Sequence, residues 1–484
     1  MNWKLVIALF IASVSYSQTE VGLLFEELPN DTVVPLSISQ HTSIRPFIRL
    51  ESKTQSKLSK SIGLKNSKSI LISPLIDLGG QVNTDFSFRS GLGATITSNF
   101  NSKLYFRIST VQGMGVSEKK DFQPKSFAFH NEDGNRYNYT DIRGRVSYTP
   151  NKVFNFQTGI DHTFLGEGNR SMFLSDYGKP YPFAQIRTKF WRVEYMLLYQ
   201  FLKEDAPHNN WKSKYGSTHV LSYNATKWLN ISIFESVLFM PKDTTLNRGF
   251  DAEYLNPIVF FRPQEYALGS SDNTFLGLQV SIKHKKQTLY SQVIIDDFDI
   301  HEMISGNQWW ANKFGGQVGL KGITQSKGTL LFYRVEVNFA KPYLYSHASS
   351  SQNYGNQGTV LAHPYGGNFY ELLGEIKRQK KKWIFKLFAN YHLYGADYSD
   401  TVSYGGNIYA SYNSHPNKYH NYIGQGIKTN GVKFLFSVGY LFDKKSNLQV
   451  FAENHFQGNT YYNIPGYQLV VGIRSCLWND YRNY

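Results

Sequence analysis

Asp161, His162 and Glu167 stand close together in the chain. A histidine beside two carboxylates could move protons or hold a divalent metal. Asp161 and His162, however, are neighbours in a stretch of alternating polarity. Successive strand residues point to opposite faces, so the spacing argues against one shared centre. A second acidic run, Asp296-Asp297-Phe298-Asp299 with His301 and Glu302, offers oxygen ligands of the kind Ca2+ takes, but without EF-hand spacing. It reads better as a strand end entering a polar loop. His363-Pro364-Tyr365-Gly366-Gly367-Asn368 is glycine-rich, yet no helical pattern follows to receive a phosphate. No two carboxylates stand out as a pair for cleaving a glycosidic bond. The lone Cys476 excludes an internal disulfide framework and a cysteine-based zinc cluster. The expectation is a protein that is not an enzyme and uses no metal or cofactor.

Binding chemistry is better represented. Trp309, Trp310, Tyr343, Tyr345 and Tyr354 fall in segments without strand periodicity. Aromatic faces stack on sugar rings, and Arg170 and Arg262 add cations to the candidate ligand-binding set. Rings of this type also form the interfacial girdles of a membrane-spanning barrel, which is the preferred reading of the aromatic residues. Arg89, Arg107, Arg187 and Arg474 occupy strand-like stretches. Two roles stay open for them: attracting an acidic polymer, or bracing an interior against Asp and Glu.

The elements that must position these residues are hairpins, and Val432–Asn454 shows the unit. Val432, Phe434, Phe436, Val438, Tyr440 and Phe442 are apolar at every second place, with Leu435 and Leu441 as exceptions between them. After the polar turn Asp443–Ser446, Leu448, Val450 and Ala452 alternate with Asn447, Gln449 and Glu453. A period of two specifies strands with two unlike faces. Here one face is large and apolar and the other small or polar.

The composition fits that unit. Aromatic residues make up 16% of the 484, chiefly 34 Tyr and 35 Phe. Mean hydropathy is −0.38, as expected when half of each strand faces a wet lumen. The formal charge of +15 accompanies no nucleic-acid-binding motif. The lysines gather in tight turns, at 283–286, 380–382 and 444–445, where solvation explains them. Lys4 precedes an apolar run from Leu5 to Val14, and Ser15-Tyr16-Ser17 suits cleavage before Gln18. This predicts an export signal over residues 1–17. No later stretch is long and apolar enough for a spanning helix.

Hairpin units recur along the chain: Phe86–Ile108, Arg143–His162, Gln185–Phe201, His219–Leu238, Phe275–Asp297, Phe314–Ala340 and Tyr370–Tyr394. A less regular pair lies in 404–427, and a last strand is Tyr467–Trp478. His41–Leu50 and Leu71–Leu78 read as short strands, and Gln112–Tyr139 as a long polar piece. Short turns alternate with long loops, the signature of an outer-membrane barrel with periplasmic turns and external loops. The expectation is an all-β transmembrane barrel of roughly 16–18 antiparallel strands, over residues 81–484. Residues 18–80 form a periplasmic, plug or first-strand region. A barrel of that size encloses a lumen too wide for its own side chains to fill. It is either a water channel or plugged.

Two stretches resemble a known family, the Wzi-like capsule-assembly outer-membrane barrels with their gliding-motility relatives. In Gly159–Ile186 the resemblance rests on Gly166, Gly168, Ser171, Leu174, Ser175, Pro180 and Pro182, with Leu165 and Glu167 where the family often has Trp and Pro. In Asn256–Leu278 it rests on Asn256, Pro257, Arg262, Glu265, Asp272 and Asn273. The resemblance implies a barrel that binds or anchors surface polysaccharide, capsular or exopolysaccharide, with gliding as a further role. The partners are then the polysaccharide, outer-membrane lipid and the barrel-assembly machinery, with no nucleic acid. The alternative is a porin-like channel for small solutes.

Overall fold

The structure is a computed structural model that describes residues 17–21, 41–51, 60–64, 68–82, 86–99, 103–117, 128–131, 135–204, 212–241, 254, 272–399, 401–443, 447–459 and 466–475. The expected signal through residue 16, Cys476, and Asn256, Pro257, Arg262 and Glu265 lie outside the described residues.

Among the described residues, eighteen antiparallel strands close into one barrel. The first six are β1 (Lys68–Val82), β2 (Phe86–Asn99), β3 (Leu104–Val116), β4 (Arg136–Tyr148), β5 (Phe154–Asp161) and β6 (Tyr181–Phe190). There follow β7 (Val193–Lys203), β8 (Ser213–Asn224), β9 (Leu229–Phe239), β10 (Asn273–His284), β11 (Gln287–Asp297) and β12 (Lys313–Ser326). The last are β13 (Thr329–Ala340), β14 (Phe369–Lys380), β15 (Trp383–Ala396), β16 (Ile427–Asp443), β17 (Leu448–Asn459) and β18 (Gly466–Ser475). Leu469 to Arg474 of β18 pair with Val82 to Asp77 of β1, which leaves the barrel without an open edge.

The barrel is inside-out relative to a soluble protein. On β12, Lys313, Gln317 and Lys321 are buried, while Val318 and Leu320 are 54% and 40% exposed. On β13, Arg334, Glu336 and Asn338 are buried between the exposed Val335 and Val337. Water around such a surface would be costly, and lipid removes the cost. Leu435 and Leu441, which break the alternation in the last long hairpin, are buried and face inward. Leu435 packs there with Leu373 and Phe388.

The two rims differ. At one, two-residue turns join β6 to β7, β10 to β11, β12 to β13 and β14 to β15. Trp191, Lys285, Lys327 and Lys381 open these turns with positive φ, the backbone that tight hairpins require. At the other rim the chain runs through 117–135, 162–180, 240–272, 298–312, 341–368 and 397–426.

Three expected boundaries change. Residues 404–427 hold no barrel strand before Ile427, and the chain there is a loop with one short turn at Tyr412–Ser414. The polar piece Gln112–Tyr139 is shorter than expected, because β3 continues to Val116 and β4 begins at Arg136. Polar residues at those positions are the lumen-facing half of strands. The short strand expected at Leu71–Leu78 is the middle of β1, which falls largely within the 18–80 region.

Candidate functional site

The stretch between β5 and β6 folds into the lumen. Residues 162–178 are buried throughout. Its reach is what matters. It starts at β5, and Arg170 pairs with Glu371 of β14 at 3.2 Å, both side chains fully buried. β14 is nine strands on from β5, half-way round the eighteen. The segment therefore crosses the full width of the barrel as a plug.

Inward-facing wall residues hold it. Glu336 accepts from the backbone N–H of Asn169 at 2.8 Å and of Arg170 at 3.2 Å, and from the Tyr290 hydroxyl at 2.7 Å. Glu371 also accepts from Asn338 at 2.9 Å and from Asn390. His363 donates to it from Nε2 at 2.8 Å. Burial lowers the proton affinity of His363 more than the carboxylate raises it, so the ring is neutral. Gln292 and Gln317 contact the plug backbone at Met172 N–H and the Arg170 carbonyl. Each buried carboxylate is thus supplied with donors, which burial demands.

The motif residues build the plug's turns. Gly166 takes φ +148, a region that favours glycine. Gly168 lies so close to the wall that a Cβ would come within 2.5 Å of Glu336 Oε2. Ser171 Oγ accepts from the backbone N–H of Phe173 at 3.1 Å and of Leu174 at 3.2 Å. Ser175 Oγ donates to the Ala362 carbonyl at 2.6 Å. Pro180 is buried just ahead of β6, and Pro182 sits on β6 itself. Asn273 donates to the Gln352 carbonyl at 3.0 Å. The Phe173 ring stacks on Phe234 at 4.5 Å, over Gly277, where a side chain would collide with it.

The segment 41–46 also lies in the lumen, at the short-turn half. Ile44–Arg45 pairs with Phe164–Leu165 as a two-residue ladder. Arg187 donates to the Pro46 carbonyl at 2.9 Å, and His41 Nδ1 is 2.8 Å from Ser222 Oγ. Glu167 joins this layer through Thr42 and through Lys321 at 2.6 Å. Burial opposes its charge, but Lys321 and Lys283 outweigh that and hold it down to about 2. Burial lowers His162 to about 3 and His41 to about 4.

The acid–base trio does not assemble. Asp161 and His162 are both buried rather than on opposite faces, because β5 ends at Asp161 and the chain turns inward. Asp161 pairs with Arg107 at 2.6 Å, His162 Nε2 bonds the Gly178 carbonyl at 2.9 Å, and Glu167 has the separate partners above. The four strand arginines expected in the lumen are all paired: Arg89 with Asp77 at 2.9 Å, Arg107 with Asp161, Arg187 with Glu194, and Arg474 with Glu453.

Of the aromatic candidates, Trp309, Trp310 and Tyr343 meet at the long-loop end, whereas Tyr345 packs on Tyr354 at 5.7 Å in the buried apolar core. Trp310 stacks on His415 at 4.3 Å, with Tyr412 at 5.0 Å and Tyr343 edge-on at 6.0 Å. Trp309 is beside it at 6.4 Å. Tyr343 and Tyr345 are fully buried, and their hydroxyls donate to the carbonyls of Ser403 and Met172. They tie loop 341–368 to loop 397–426 and to the plug. The outward aromatic row at this end is Phe298, Phe314, Phe339 and Tyr370 instead, with centroids about 6.2–6.3 Å apart. Lys313 takes up the acidic run, pairing with Asp296 at 3.0 Å and Asp297 at 2.8 Å. Asp299 caps the short helix Ile300–Ile304. Among the described residues no group of three or more His, Cys, Asp or Glu is placed to hold a metal.

Sequence reasoning missed the wall residues Glu336, Glu371, Gln292, Gln317 and Lys321. The available signal was a carboxylate between two lipid-facing valines, as in Val335-Glu336-Val337, which cannot stay buried without donors.

No protein-family model matches the chain, and no curated protein matches it. Solved outer-membrane structures are similar in fold. Wzi, an outer-membrane protein involved in group 1 capsule assembly in Escherichia coli and a carbohydrate-binding β-barrel, aligns with a TM-score of 0.53 and 11% identity over 81% of this chain and 83% of that one. OprD of Pseudomonas aeruginosa aligns with a TM-score of 0.45 and 9% identity over 87% and 98%. The Wzi likeness is one of fold, a closed antiparallel β-barrel of the kind found in outer-membrane proteins.

Proposed function

We propose that this chain sits in the outer membrane and binds or anchors cell-surface polysaccharide at its long-loop end, without chemistry of its own. One observation carries the reading: a plug rooted at β5 crosses the lumen to Glu371 of β14. A conduit needs an open lumen, whereas an anchor needs a stiff outer surface. Loops tied to the plug through Tyr345 and Ser175 supply such a surface. Capture is non-covalent, by the loop aromatics around Trp309 and Trp310 and by loop cations, Arg262 among the candidates. The description of Wzi as carbohydrate-binding is carried to this chain only as part of this proposal. Gliding-type spreading is a second consequence of holding surface polymer. The test is deletion of the gene, scoring retained surface polysaccharide and spreading together. Loss of retained polymer supports the reading, and a strain normal in both overturns it.

A porin-like channel is the second reading. It is favoured by the charged lumen wall of β1 to β5, where Arg89 faces Asp77 and Arg143 faces Asp141, a lining suited to polar solutes. Steady conductance in planar bilayers would support it over the anchor.

A further inference from the structure

We propose that the short-turn rim is a binding surface for anionic phospholipid headgroups. Lys103, Lys152, Arg192, Lys227 and Lys327 each occupy a separate connection at this rim, and lysine pairs fill 285–286 and 381–382. None of these seven connections contains Asp or Glu; the eighth, at Asp443–Ser446 in the sequence, carries Asp443 beside Lys444 and Lys445. The opposite rim is mixed, with Asp299 and Glu302 in 298–312 and Asp397 in 397–426 beside Lys341 and Lys418. Solvation of turns accounts for polar residues, but not for nine cations in seven connections against one carboxylate at the same end.

Exposed aromatic rings at the same turns set the depth of these cations. Trp191, Trp228 and Trp383 are 66%, 52% and 48% exposed. The Arg192 guanidinium lies 5.1 Å from the Trp191 ring, and the Lys382 ammonium 5.7 Å from the Tyr440 ring. Tryptophan and tyrosine settle at the headgroup boundary, and a long cation beside them reaches the phosphates. The distribution selects the ligand. The cations run round the rim from β2 to β15, whereas a polymer chain or a protein would meet one sector. The lipid annulus meets every sector, and anionic headgroups attract each cation near the surface.

The proposal rests on the membrane-spanning fold and not on the polysaccharide reading. The test uses the full-length barrel in phosphatidylcholine vesicles carrying trace spin-labelled phosphatidylglycerol or spin-labelled phosphatidylcholine. Electron spin resonance then gives the immobilised fraction of each. The expected result is a preference of about threefold or more for phosphatidylglycerol at low salt, falling toward unity in 1 M salt. The same loss is expected in the variant Lys285→Gln, Lys286→Gln, Lys381→Gln, Lys382→Gln. If that variant does not fold, the salt titration of the wild-type barrel decides. Equal immobilisation of both lipids at low salt overturns the proposal. So does polygalacturonate binding by the wild type in detergent without any lipid preference, since it assigns the rim to an acidic polymer. No immobilised lipid of either kind would instead contradict the membrane-spanning fold.

Discussion

Glu371 is the residue on which plug docking turns. It receives Arg170, His363, Asn338 and Asn390 in a fully buried setting. Arg170→Ala leaves that carboxylate short of its cation, at a cost of about 3–5 kcal/mol to docking. Limited chymotrypsin digestion is expected to cut after Phe173 or Tyr177 faster in this variant than in the wild type. The double variant Arg170→Met, Glu371→Gln should recover part of the loss, because no charge then remains unpaired. Proton linkage acts on docking through other residues of the plug and of the segment beneath it. Docked His41 and His162 take up protons only near pH 4 and 3, whereas exposed imidazoles do so near 6.5. Protons therefore favour the undocked plug, and docking weakens as pH falls from about 6.5. Glu167 adds to this lower down: its contribution is full above 4.5 and is lost toward about 2. Chymotrypsin is inactive in acid, so a pepsin pulse at pH 3.5 against pH 5.5 is the suitable probe. Greater loop cleavage at 3.5, beyond pepsin's own gain on an unfolded control, is expected.

At the scale of elements, each strand is specified by alternation, and lipid sets which half shows. Leu320 sits near the middle of β12 and is 40% exposed, whereas Ser326 ends it. Leu320→Lys should cost about 2–4 kcal/mol and Ser326→Lys about 0–1, measured by urea unfolding in vesicles. Equal costs would mean the outward face is not in hydrocarbon. The strands were legible for this reason, since one local rule generates them all. Their bounds near 112–139 were less so, because a lumen-facing run of polar residues looks like loop. The plug was legible only as a motif-bearing stretch. Its course depends on Glu336 and Glu371, distant residues that no local pattern links to Arg170. The 404–427 stretch misled for the opposite reason. Its short alternating run around Ile408–Tyr412 packs into the loop core beside Leu344 and Val360.

For the whole molecule, the number of strands creates the problem that the plug solves. Eighteen strands enclose more space than their own inward side chains fill. The vacancy is taken by residues 41–46, the 162–180 segment and loop 341–368, with a small apolar core of Met172, Phe173, Leu174, Phe275 and Leu344 inside the barrel. The two rims then diverge, a predominantly cationic rim of tight turns opposite a deep layer of tied loops. Sequence reading left open whether the lumen was filled, since both outcomes share the same strands. The central claim is that this barrel spans lipid with its lumen crossed by the 162–180 segment. Single-channel recording in planar bilayers tests it most directly, comparing wild type with a chain in which residues 163–178 are replaced by a short Gly-Ser linker. The wild type should pass little or no steady current, and the variant should show large, long-lived openings. A wild type that conducts like an open pore, or a variant no more conductive than the wild type, would contradict it.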